Sequence, residues 1–95
     1  MPEMRFLVRW PDGRSESCYS PSLVIREYFR EGDSYPLAEF VGLSREALTI
    51  ASERVRAKYG HACSRALGQL ARIEAKADGF ASDSRVTVET FLAGD

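Results

Sequence analysis

The sequence predicts an α+β fold: an N-terminal β-hairpin plus a C-terminal strand, with three to four helices packed on one sheet face. Apolar and polar residues alternate at both ends of the chain, in residues 4–10 and 86–89, as in half-buried strands. Between them, apolar residues recur at helical spacing. The 95 residues, 44% hydrophobic and 28% charged, fit a single globular domain spanning residues 1–95.

The hairpin is predicted from the first 19 residues. The first strand, residues 4–10, carries its apolar side chains on one face; these are Met4, Phe6, Val8 and Trp10. Pro11-Asp12-Gly13 predicts the turn, because proline presets the first turn position and glycine accepts a positive φ. The returning strand, residues 14–19, is polar, so we expect it to have an exposed face or to lie at a sheet edge.

A helix is predicted directly after the hairpin. Ser20 is a favourable N-cap, and Pro21 suits the first helical position, where no backbone donor is needed. The apolar residues of 21–30 lie on one helical face, and Gly32 is expected to stop the helix.

The middle of the chain predicts three further helical segments. One runs from Pro36 to Val41, and Gly42-Leu43 is expected to interrupt it. Ser44 is predicted to cap the next helix, which ends at Gly60. The last covers residues 63–77, and small residues on both apolar stripes favour a close helical hairpin. The sequence of residues 85–92 is compatible with either a strand or a helix, and a strand is favoured over residues 86–89.

Composition narrows the classes of function. The net charge of -1 argues against nucleic-acid binding that depends on electrostatic attraction alone. The N-terminus lacks the pattern of a signal peptide and no segment has the length of a membrane span, so we expect a cytoplasmic protein with reduced thiols and no membrane partner. Two cysteines and one histidine are too few for a conventional zinc site, and no cofactor-binding motif is present.

Two hydroxyl- and thiol-rich segments form the candidate ligand-binding site. The residues are Cys18, Tyr19, Ser20, Ser22, His61, Cys63 and Ser64. Both segments precede predicted helices, whose free N–H groups favour anions and lower a nearby thiol pKa. The simpler interpretation is that the serines start helices, Cys18 packs as a small hydrophobe and His61 is solvated.

A second site hypothesis is a nucleic-acid interface on the basic helices. The interruption at Gly42-Leu43-Ser44 faintly suggests a helix-turn-helix motif. The cations available for phosphate are Arg45, Arg54, Arg56 and Lys58, followed by Arg65 and Arg72. Acidic neighbours dilute this charge, and cations near a helix C-terminus also stabilise the helix itself.

Seven segments carry a likeness that runs through nearly the whole chain. They are Met1-Pro2-Glu3-Met4-Arg5-Phe6, Arg9-Trp10-Pro11-Asp12-Gly13, Cys18-Tyr19-Ser20-Pro21-Ser22, Tyr35-Pro36-Leu37, residues 47–60 (ALTIASERVRAKYG), Cys63-Ser64 and Val86-Thr87-Val88-Glu89. Together they resemble a small bacterial family of nitrogen-starvation response proteins. The resemblance implies a gene cluster that includes a nitrilase-like enzyme, and hence an accessory role in nitrogen-related or specialised metabolism. It implies no reaction and no catalytic residues.

These observations predict a non-catalytic accessory or protein-interaction protein of the nitrogen-starvation response. We expect a homo-oligomer, because the polar second strand offers an edge for pairing, and the enzymes of the same gene cluster are candidate partners. The alternatives are a small ligand-binding protein or enzyme with a pocket near Cys18, His61 and Cys63, and a nucleic-acid-binding regulator.

Overall fold

The described part of the chain contains three helices and four strands. The computed structural model describes residues 3–93. In chain order the elements are β1 (Met4–Arg9), β2 (Ser15–Ser20), α1 (Ile25–Tyr28), β3 (Ser34–Pro36), α2 (Leu37–Tyr59), α3 (Ser64–Ala77) and β4 (Arg85–Ala93). The predicted α+β class, the N-terminal hairpin and the C-terminal strand are confirmed.

The strands form one antiparallel sheet in the order β2-β1-β4-β3. β4 pairs with β1, so the chain closes its sheet against the N-terminal hairpin, and residues 85–93 are strand rather than helix. β2 lies at one edge. β3, at the other, was not predicted, because three residues ending in proline show no alternation of their own. Its pairing with the start of β4 defines it, and an edge position tolerates the missing proline donor.

The core lies between the sheet and the helices. Met4, Phe6, Val8 and Trp10 are buried on one face of the sheet, as their alternation predicts. The Phe29 ring lies with its centroid 5.3 Å from that of Phe40 and 6.1 Å from that of Phe6. Burial of each such side chain contributes about 1.5–3 kcal/mol.

Helix α2 is continuous from Leu37 to Tyr59, so the predicted break at Gly42-Leu43 is wrong. Ser44 is buried inside the helix and is not an N-cap. The buried residues keep one helical phase across the glycine; they are Leu37, Phe40, Ser44, Ala47, Leu48, Ala51 and Ser52. Packing of this stripe outweighs the roughly 1 kcal/mol by which glycine disfavours a helix interior.

Helix α1 covers only Ile25–Tyr28, and the predicted helix over residues 21–30 with a Ser20 cap is wrong. The Ser20 hydroxyl donates to the Ser22 carbonyl at 2.7 Å and accepts the Ser22 N–H at 3.2 Å. The Ser22 hydroxyl accepts the Val24 N–H at 3.3 Å. These local turns compete with helical hydrogen bonding, so the helix begins only after them.

Helices α2 and α3 form the predicted hairpin. Gly60 ends α2 with a φ of 88°, in the left-handed region that glycine adopts without strain. Across the turn, the Cys63 N–H donates to the Ser52 hydroxyl at 3.2 Å. None of the helices in residues 3–93 has the length and apolar character needed to cross a membrane.

Candidate binding cleft

A polar cleft of about 330 Å³ lies between the outer edge of β2 and the first half of α3. β1 and β2 contribute Arg5, Glu16, Ser17 and Tyr19, and α3 contributes Ser64, Arg65, Gln69 and Arg72. The helix comes this close because its apolar stripe, which includes Ala66 and Ile73, is buried against the rest of the protein. The polar residues of the same helix are thereby placed along the strand edge.

The cleft has an excess of positive charge, with three guanidinium groups and one carboxylate in its wall. Within residues 3–93, Arg5 and Arg72 make no ion pair. Arg65 has one weak contact, 3.9 Å between its Nη1 and the carboxylate Oε2 of Glu3. The chain as a whole has a net charge of -1, yet this cleft has a local excess of positively charged arginine side chains. A concave basic surface of this kind attracts anions.

Tyr19 forms the aromatic wall of the cleft. The Arg65 guanidinium carbon lies 3.9 Å from the centroid of the Tyr19 ring, and that of Arg5 lies 5.8 Å from it. Burial, reinforced by the Glu3 carboxylate, raises the pKa of the Tyr19 phenol above its ordinary value. A guanidinium stacked on an aromatic face keeps its N–H donors at its rim, where they can bind a carboxylate or phosphate.

Gln69 connects the helix to the strand edge. It is only 2% exposed, and its Oε1 accepts the Tyr19 backbone N–H at 2.9 Å and an Arg72 N–H at 3.3 Å. Two donors at this oxygen determine the orientation of the amide. Its Nε2 is buried without a hydrogen-bond partner in the described part of the chain. Gln69 thus satisfies an edge N–H of β2 and positions Arg72, while the N–H groups of its own amide stay buried.

The structure brings only some of the predicted ligand-site residues together. Tyr19 and Ser64 line the cleft. Cys63 lies beside Tyr19 in a smaller adjoining pocket of about 190 Å³, which Tyr59 also lines. His61 is exposed, and its Nδ1 lies 3.4 Å from the Ala62 carbonyl oxygen.

The other three predicted site residues are buried. Ser20 and Ser22 are occupied by the turns that precede α1. Cys18 is fully buried opposite Phe6 on β1 and lines neither the basic cleft nor the smaller pocket beside it. Burial, with a smaller contribution from the Glu16 carboxylate, raises the pKa of the Cys18 thiol far above its ordinary value. Cys18 is therefore a neutral thiol and not an activated nucleophile.

The cations of the nucleic-acid hypothesis have intramolecular partners. Arg45 donates to the Glu74 carboxylate at 2.8 Å, and Arg54 donates to the Ser22 hydroxyl at 2.9 Å. The other two have weaker contacts: Arg56 lies 4.0 Å from the Glu53 carboxylate, and the Lys58 ammonium lies 5.6 Å from the Tyr59 ring centroid. With the helix break also missing, the geometry of a helix-turn-helix motif is not present.

A larger depression, of about 710 Å³, lies between the start of α2 and the end of α3. It is mainly apolar, with Leu37, Val41 and Phe80 in its wall. Its basic side chain, Arg45, is already hydrogen-bonded to Glu74 in the same wall. Ligand sites need a few convergent polar groups that are free to bind, so the basic cleft is the better candidate despite its smaller volume.

Within residues 3–93, no three His, Cys, Asp or Glu side chains are grouped so as to hold a metal ion.

Sequence reasoning missed Arg5, Glu16, Ser17 and Gln69 and considered Arg65 and Arg72 only for nucleic acid. One signal was available: Arg65 and Arg72 are seven residues apart, which places them on the same side of a helix. A second was Gln69, a polar residue next to the apolar stripe of α3. The approach of α3 to the β2 edge, which brings these residues to Arg5 and Tyr19, has no signal in the sequence.

Fold and cleft together define a small α+β protein with a basic cleft at a sheet edge. A family model described as nitrogen starvation-induced protein NitG matches residues 5–91, so the chain belongs to this family. This confirms the resemblance seen in the sequence. Comparisons with curated proteins and with solved structures found no match.

Proposed function

We propose that this protein is a non-catalytic small-molecule-binding protein of the nitrogen-starvation response and that it binds an organic anion in the basic cleft. One observation carries the proposal: three arginines converge on one cleft, and Arg5 and Arg72 lack an ion pair within residues 3–93. Guanidinium groups bind carboxylates and phosphates through paired, charge-assisted hydrogen bonds. The cleft volume is at the lower end of the range for small-molecule sites, which suits a small ligand.

A binding role is favoured over catalysis because the candidate nucleophile, the Cys18 thiol, is neither accessible nor ionised. The Cys18 thiol is buried and protonated, and His61 is exposed, with its Nδ1 beside a backbone carbonyl. Nucleophilic catalysis requires a base within hydrogen-bond reach of an accessible nucleophile. The basic cleft offers hydrogen-bond donors instead, which are a means of recognition.

Isothermal titration calorimetry of the full chain with succinate and with inorganic phosphate tests the proposal. We expect saturable binding that weakens as the salt concentration rises. Arg72→Gln should weaken binding about tenfold or more, because a hydrogen bond to a charged group contributes about 1.5–3 kcal/mol.

Arg56→Gln is the matched control, since Arg56 is an exposed arginine paired with Glu53 and does not line the cleft. It should leave the affinity unchanged. An absence of binding at millimolar ligand, or an equal loss in both variants, would contradict the proposal.

We further propose that the protein self-associates in an accessory role beside the enzymes of its gene cluster. The observation that favours self-association is the end of β4: β3 pairs only with Arg85–Thr87, so residues 90–93 have β1 as their only partner strand within residues 3–93. Leu92 in this segment is 43% exposed. Antiparallel pairing of two such edges, in which the Phe91 N–H would exchange its Glu31 acceptor for a backbone carbonyl of the second copy, would form a dimer. Light scattering is expected to give twice the monomer mass, and a monomer at high micromolar concentration would refute self-association.

A further inference from the structure

We infer that the ligand of the basic cleft is an acidic α-amino acid, a molecule with two carboxylates and one ammonium group. The inference rests on the proposed function and names its ligand class. It follows from the charges in the cleft wall, where three guanidinium groups face the space together with the carboxylate of Glu16. An acidic amino acid carries the complementary set, two negative charges and one positive charge.

Glu16 is the residue that distinguishes this class from simple anions. Its Oε1 accepts the indole N–H of Trp10 at 3.0 Å, and Trp10 is itself buried, so the carboxylate has a defined position. Within residues 3–93, Glu16 makes no ion pair with the arginines of the cleft or with any other cation. Its second oxygen has no hydrogen-bond donor there either, and is available to accept one from a ligand.

A free carboxylate beside an anion site selects against ligands that are only anionic. Like charges at close range raise the free energy of the complex, and such repulsion is a common source of specificity. An ammonium group on the ligand reverses the sign of this interaction. Glu16 therefore weakens, without abolishing, the binding of a bare dicarboxylate or phosphate, and strengthens the binding of an amino acid whose carboxylates are bound by the arginines.

The arrangement of the cations favours two carboxylates over one. Arg65 and Arg72 are separated by seven residues, about 10 Å along the axis of α3. Arg5 reaches the cleft wall from β1, the strand next to β2. Guanidinium groups spread in this way can each pair with a different carboxylate.

The test compares ligands that differ by one charged group, by calorimetry on the full chain. The probes are L-glutamate, 2-oxoglutarate (both carboxylates, no ammonium), L-glutamine (one carboxylate replaced by an amide) and inorganic phosphate. We expect L-glutamate to bind at least tenfold more tightly than each of the others. Equal or tighter binding of 2-oxoglutarate or phosphate would overturn the inference while leaving anion binding intact. Binding of none of the four would refute the proposed function as well.

Glu16→Gln provides the second test, because it keeps an oxygen for the Trp10 N–H and removes only the charge. It should weaken L-glutamate about tenfold and leave 2-oxoglutarate unchanged or tighter, so that the preference disappears. Glu46→Gln is the control, since Glu46 is exposed on α2 and lies outside the cleft. An equal loss for L-glutamate and 2-oxoglutarate in Glu16→Gln would contradict the role of this carboxylate. The ligand panel on the unmutated protein decides the ligand class even if this variant does not fold.

Discussion

Replacement of Gly42 by alanine measures how far α2 behaves as one helix. Gly42 lies inside the helix with an ordinary negative φ, and an added Cβ would meet no atom within 4 Å. The new methyl group therefore costs nothing in packing. Alanine is favoured over glycine in a helix interior by about 0.8–1 kcal/mol, partly because it restricts the unfolded chain. Gly42→Ala should stabilise the protein by about that amount.

Gly60→Ala is the matched control, with the same chemical change in the opposite backbone setting. Gly60 also has open space around a built Cβ, but its φ is 88°. An alanine in the left-handed region costs roughly 1–2 kcal/mol. The two variants should therefore change stability in opposite directions although each adds one methyl group to an uncrowded site.

Urea unfolding and thermal unfolding followed by circular dichroism measure both effects. For a domain of this size, about 1 kcal/mol corresponds to roughly 4–8 °C in the melting temperature. We expect the Gly42→Ala midpoint to rise and the Gly60→Ala midpoint to fall by similar amounts. A destabilised Gly42→Ala would refute the reasoning, because it would mean that the chain needs glycine at this position, as a break between two helices would require.

Three further predictions concern single side chains. The Thr90 hydroxyl and the Phe91 N–H, both on β4, donate to the Glu31 carboxylate and hold its pKa below the ordinary value. The contribution of Glu31 to stability is therefore present at neutral pH and is lost as the pH falls through the lowered pKa. Glu31→Gln should be less stable at neutral pH and lose less on acidification; parallel pH profiles would count against this. In the folded protein Ellman's reagent should modify Cys63 and spare Cys18, and rapid labelling of a Cys63→Ser variant would show that Cys18 is accessible. Ser44→Ala should be neutral or stabilising, because it removes a buried hydroxyl that has no partner in the described residues. Ser52→Ala should destabilise the protein by about 1 kcal/mol, because the Cys63 N–H loses its hydrogen-bond acceptor. Equal urea midpoints for the two variants would contradict both expectations.

The binding cleft was only partly predictable. Tyr19 and Ser64 stand at predicted helix starts and both line the cleft, although in the structure a helix begins only at Ser64. Cys18 was selected for its chemistry, and pairing across the hairpin places it opposite Phe6 in the core. A shift of one residue would have turned Cys18 outward and Tyr19 inward. The register therefore decides which of the two neighbours reaches the cleft.

The sequence by itself determined the features that depend on neighbouring residues. Alternation defined β1 and its buried face, helical spacing defined α3, and Gly60 ended α2. Where local signals competed, as at Gly42, only the continuous buried stripe of α2 decided the outcome, since packing outweighs the propensity of a single residue.

The tertiary structure alone decided the existence of β3 and the composition of the cleft. Three residues become a strand because β4 lies beside them. The cleft contains Arg5, Glu16 and Arg72, although more than fifty residues separate Arg72 from the other two. They meet because burial of the apolar stripe of α3 brings that helix to the edge of β2. Both outcomes depend on contacts between distant parts of the chain. A pattern read over a few neighbouring residues contains no information about such contacts.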